Sequence, residues 1–100
     1  MYIYNVTINI EDAVHIEWLQ WMQQEHIPEV MGTGKFTHCR ICRVLSNDES
    51  GATYAIQYTC NTIDDYHDYQ ERFAPELQQK TRIKFKDQYV AVRTLLEVVE

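Results

Sequence analysis

Proline and glycine are scarce, two and three in 100 residues, so collagenous and low-complexity architectures are excluded. No stretch approaches the roughly 20 apolar residues that a membrane helix needs. The opening MYIYNVTINI lacks the positive n-region and unbroken apolar run of a signal peptide. Basic residues are outnumbered nine to fifteen, and the net charge of -6 works against a polyanionic partner such as nucleic acid. Cysteine is short as well. Cys39, Cys42 and Cys60 are an odd set in a chain long enough to bury a core without staples, so reduced thiols are expected rather than a disulfide framework. These absences predict a cytoplasmic protein without an anchor.

What is there is a globular composition, 45% hydrophobic and 24% charged, in the length of one ordinary domain spanning residues 1–100. Residues 2–10 alternate like a strand, with Tyr2, Tyr4, Val6, Ile8 and Ile10 on one face. From Asp12, a candidate N-cap, the period becomes helical, and Val14, Trp18, Trp21 and Met22 fall on one side with His15, Leu19 and His26 beside them. Pro28 disfavours helix at Ile27, which predicts a break there and a turn running to Gly32 and Gly34. Phe36 to Leu45 and Thr53 to Thr62 read as two strands of a hairpin joined by SNDESG. Thr62 with Asp65 resembles a capping box at the head of a second helix, whose stripe is Ile63, Tyr66, Phe73 and Leu77. Pro75 predicts a kink or brief break after Ala74, and Gln88 to Val99 is the last strand.

The order βαββαβ predicts an α+β, ferredoxin-like domain: a four-stranded antiparallel sheet in the order 4-1-3-2, with two helices on one face. The more apolar parity of each strand should face the helices: Tyr4, Val6 and Ile8; Cys39, Ile41 and Leu45; Tyr54, Ile56 and Tyr58; Val90, Val92, Leu96 and Val98. The complement is the open face. It holds Ile3, Asn5 and Thr7, then Phe36, His38, Arg40, Cys42 and Val44, then Ala55, Gln57 and Thr59, and finally Tyr89, Ala91, Arg93 and Leu95. A freely solvated face would be rich in Lys and Glu, so this mixture predicts a covered one. The simplest cover is a second copy packed face to face, a homodimer.

Here the chain resembles the dimeric α/β-barrel proteins, which include antibiotic-biosynthesis-type monooxygenases, haem-degrading monooxygenases and muconolactone-isomerase-like enzymes. More narrowly, WLQWM, HIPEVMGTGKF, RFAPEL and VRTLLEVV resemble the strings of a small bacterial family, a domain of unknown function. The resemblance spans nearly the whole chain. It implies a barrel closed by two copies and, if the protein is an enzyme, a metal-free monooxygenase-like or isomerase-like activity. Haem degradation in the superfamily relies on an Asn of the first strand, a Trp and a His. Asn5 and His67 match two of those roles, but Trp18 and Trp21 stand in the first helix as core anchors, so no cofactor is expected.

Other motifs weaken on inspection. Cys39 and Cys42 form a CxxC, but residues three apart on a strand point to opposite faces and their sulfurs cannot converge on one ion. His15 and His26 lie eleven residues apart on one helix, about 16 Å along its axis. With His38 on a strand and His67 on the other helix, no metal site is expected. YIYNV superficially resembles one signature of the RNA-recognition motif, but GATYAIQY lacks the other, so no stacking platform is expected. What survives is His38, Arg40, Gln57 and Arg93 on the open face, with Asn5 and Thr7 at the edge. Two guanidiniums, an imidazole and an amide could hold a small anionic or aromatic metabolite between the sheets, with His38 as a general base. The competing expectation is an interaction module, in which the same groups only seal a homodimer interface.

Overall fold

Alternation in the first ten residues produces the central strand β1 (Tyr2–Ile10), with Tyr4, Val6, Ile8 and Ile10 buried beneath the helices. The computed structural model describes residues 1–46 and 49–100, so Asn47 and Asp48 of the expected SNDESG turn lie outside the described residues. β1 pairs antiparallel with β3 (Ala52–Cys60) on one side and β4 (Tyr89–Glu97) on the other, and β2 (His38–Arg43) pairs with β3. The resulting order, β2-β3-β1-β4, is the ferredoxin-like arrangement.

The first helical arm departs from expectation twice. Its start has no side-chain cap: Glu11 precedes a short 3-10 turn, Asp12–Val14, and Asp12 lies inside that turn. Nor does the helix break before Pro28. α1 (His15–Trp21) passes into a wide π turn over Met22–His26 and then into α2 (Ile27–Met31). The Ile27 N–H donates to the Met22 carbonyl five residues back. That extra residue re-registers the ladder, so Pro28 falls in the first turn of a new segment, where a missing N–H leaves no bond unmade.

Thr62 caps the second arm as its sequence suggests, its hydroxyl oxygen accepting from the Asp65 N–H at 3.2 Å. α3 (Ile63–Arg72) breaks at Phe73, one residue earlier than expected, and α4 (Ala74–Lys84) carries Pro75 in its first turn. Both arms cover one face of the sheet. Trp18, Met22 and Val30 from the first arm and Tyr69, Ala74 and Leu77 from the second join a core that includes Tyr4, Ile10, Ile56 and Cys60. Tyr4 anchors an aromatic cluster, its ring centroid 5.6 to 6.2 Å from those of Phe36, Tyr58, Tyr66 and Tyr69.

Three facial assignments change. Phe36 precedes the first ladder residue of β2 and turns into the core, 5% exposed, instead of lying on the open face. Leu45 follows the end of β2 and is exposed rather than helix-facing. The parity of β4 is reversed. Residues directly opposite on antiparallel strands share a face, and β1 places Ile10, Ile8, Val6 and Tyr4 opposite Tyr89, Ala91, Arg93 and Leu95. Those four lie on the helix side. Val90, Val92, Thr94 and Leu96 lie on the open face, where Val90 and Val92 are 67% and 60% exposed.

Candidate functional site

The open face carries five of the six expected site residues. Arg40, Gln57, Asn5 and Thr94 stand directly opposite one another in a row across all four strands. The Arg40 guanidinium donates through Nη2 to Gln57 Oε1 at 3.2 Å, and Asn5 Nδ2 donates to Thr7 Oγ1 at 3.1 Å. The other Asn5 amide atom, Oδ1, is buried without a hydrogen-bond partner among the described residues. His38 stands beside Thr59, at one end of this surface, and is exposed. Cys42 shares the face, while Cys39 lies on the helix side opposite Tyr58, where burial pushes its thiol up to about 11. The two sulfurs of the CxxC therefore point to opposite sides of the sheet.

Arg93 does not join this row. As the partner of Val6 it reaches the helix side, at the mouth of a cavity between the sheet and both helical arms. The cavity encloses about 30 Å³, room for one or two waters. Its inner wall is apolar, formed by Val6, Ile8, Ile56 and Met22. Polar side chains in its lining include His26, Tyr69, Gln78, Thr81 and Arg93, with Tyr4, Tyr58 and Tyr89 adding ring surface and hydroxyls.

The His26 ring stacks on Trp21 with centroids 5.0 Å apart, and its Nδ1 is buried without a partner among the described residues. Burial is the chief reason that its pKa falls from 6.5 to about 4; Glu29 opposes the fall, while Arg93 and Lys80 reinforce it. The imidazole is therefore neutral at pH 7. Tyr58 and Tyr69 are also held protonated, mainly by burial, with Arg93 acting in the opposite sense on Tyr69. Arg93 thus lies near enough to both His26 and Tyr69 to bias their protonation. Sequence reading passed over this group because it is assembled from five elements. The available signal was His26 itself, an imidazole beside an apolar helical stripe.

The remaining histidines have other surroundings. His15 Nε2 is 2.7 Å from the Tyr54 hydroxyl, and exposed His67 meets the edge of the Tyr66 ring. The two groups that matched haem-degrading relatives are not brought together: Asn5 faces away from the helices and His67 stands on α3, so the sheet separates them. The haem arrangement does not fit these residues. Among the described residues, no cluster of three metal-ligating side chains is present, and no helix is long and apolar enough to cross a membrane.

The comparisons agree with the fold. Residues 1–99 match the model of a family described as a domain of unknown function (DUF4286), and the chain belongs to that family. No curated protein matches it significantly by sequence. Among solved structures, a dimeric ferredoxin-like protein from an uncultured marine organism superposes with a TM-score of 0.71 at 13% identity, covering 100% of this chain and 96% of its own. A protein from Agrobacterium tumefaciens gives 0.70 at 14% identity, with coverage of 100% and 95%. An ethyl tert-butyl ether D (EthD) family protein from Bacillus halodurans gives 0.68 at 9% identity, with coverage of 99% and 100%. At these identities the likeness is one of fold.

Proposed function

We propose that this chain is the subunit of a cytoplasmic homodimer, one domain per subunit, in which two open sheet faces pack together to close a barrel. The carrying observation is the pair Val90 and Val92, 67% and 60% exposed on the same face as Ile3, Ala55 and Leu96. An apolar face of this kind is stabilised by burial against a complementary one, and twofold packing supplies such a surface from the same chain. The description of a structural neighbour as a dimeric ferredoxin-like protein supports this reading. Light scattering on a sizing column tests it. The expected mass is about 24 kDa, twice 11.9 kDa; a monodisperse 12 kDa species at micromolar concentration overturns it.

A second reading, binding of a small anionic or aromatic metabolite between the sheets, draws support from Asn5 Oδ1. Desolvation leaves that acceptor without a partner, and a ligand donor or a partner-subunit donor would satisfy it. Arg40, Gln57, Asn5, Thr7 and His38 would line such a site, without Arg93. In a thermal-shift screen of small carboxylates, stabilisation of the wild type that is lost in Arg40→Ala supports a ligand. Loss of dimer stability in that variant, with no stabilising compound, favours the pure interface.

A further inference from the structure

The cavity on the other side of the sheet has a chemistry of its own. Arg93 brings a guanidinium to its mouth and has no ion-pair or hydrogen-bond partner among the described residues. The carboxylate that acts on His26, that of Glu29, is engaged elsewhere, its Oε2 holding Lys80 at 2.6 Å. The His26 ring, fixed against Trp21, keeps Nδ1 unpartnered. The Tyr69 hydroxyl makes no hydrogen bond among the described residues, although the residue is only 3% exposed. A guanidinium, an imidazole nitrogen and a phenol, all without protein partners, therefore meet around one small apolar-walled space.

We propose that this cavity binds a small monocarboxylate, with Arg93 gripping the carboxylate, Tyr69 and His26 hydrogen-bonding it, and a short apolar tail against Val6, Ile8 and Ile56. The planar guanidinium fork matches a carboxylate in two parallel hydrogen bonds. Charge limits the ligand to one negative charge, because Arg93 is the only cation among the lining residues and His26 is neutral at pH 7. A phosphate dianion would carry an uncompensated charge into a largely apolar space. Volume limits the ligand too. Room for one or two waters suits a body of two to three carbons, with the Arg93 end open to solvent.

The test follows the histidine ring signals by nuclear magnetic resonance while acetate, propionate or inorganic phosphate is added, with sodium chloride at matched ionic strength as the reference. Acetate or propionate is expected to move the His26 signals saturably. Arg93→Gln should weaken that binding by at least about tenfold, since losing even one of the two charge-assisted hydrogen bonds costs that much. Tyr69→Phe, which keeps the ring in the core, should weaken it severalfold, and Arg40→Ala should leave it unchanged. His26 signals that neither carboxylate moves would overturn the site, and this reading needs no variant to fold. So would unchanged affinity in Arg93→Gln or Tyr69→Phe, or loss in Arg40→Ala. Phosphate binding more tightly than acetate would overturn the ligand class. Light scattering on the same samples reports the dimer separately.

Discussion

His26 shows how far one side chain's properties depend on its neighbours. In the unfolded chain the imidazole titrates near 6.5; in the folded protein, burial holds it near 4. Between those values the unfolded state binds a proton that the folded state refuses, so stability is full above pH 6.5 and declines as the pH falls toward 4. At about 1.4 kcal/mol per tenfold change in proton affinity, the loss at the acid end is about 3 kcal/mol. Urea unfolding at pH 7 and pH 4.5 should therefore show a larger drop in the wild type than in His26→Gln, which has no group to titrate. Equal drops would mean that water reaches the ring freely. The same burial makes His26 difficult to recognise in the sequence, where it stands, with His15 and Leu19, beside the stripe of Trp18 and Met22.

Among the elements, β1 and β3 were legible because their alternation has one apolar parity and one mixed parity. β4 was not. In YVAVRTLLE both parities are apolar, Tyr89, Ala91 and Leu95 against Val90, Val92 and Leu96, so alternation could not choose between them. Only the pairing of Val6 with Arg93 settles the matter. That single reversal moved Arg93 from the open face to the helix-side cavity, whereas the Arg40, Gln57 and Asn5 row followed from strands whose parity was clear. The first helical arm was misjudged at Pro28 because a π turn depends on packing around Trp21 and Met22 rather than on local propensity. Turn chemistry was more readable, and its two left-handed glycines differ in a testable way. Gly34 has φ +78° and open space where a Cβ would stand, so Gly34→Ala should cost only the backbone strain of about 1 kcal/mol. At Gly51, with φ +81°, a Cβ would come within 2.5 Å of the Ile10 carbonyl oxygen, part of the central strand. Gly51→Ala should therefore lower the urea midpoint clearly more than Gly34→Ala. Equal effects would show that the end of β1 yields without cost.

For the whole molecule, the sheet divides two kinds of chemistry: an open face bearing exposed Val90 and Val92, the proposed dimer surface, and a polar-rimmed cavity beneath the helices. Val92→Glu adds a charge to the open face without touching the core, so it should convert the 24 kDa species to 12 kDa while the far-ultraviolet circular dichroism is preserved. A dimer that survives this substitution would mean that the copies meet elsewhere. The strand order also governs how such a chain can be made. β1 is translated before both of its neighbours in the sheet, residues 52–60 and 89–97, so neither flank of β1 has a mate until about forty to eighty further residues have been made. Contacts of this sequence separation slow folding and leave a hydrophobic, alternating segment without its partners during synthesis. The strand at the centre of the sheet thus waits longest for its second neighbour, and a nascent chain arrested before Tyr89 would still offer one bare edge of β1 to any passing β-segment.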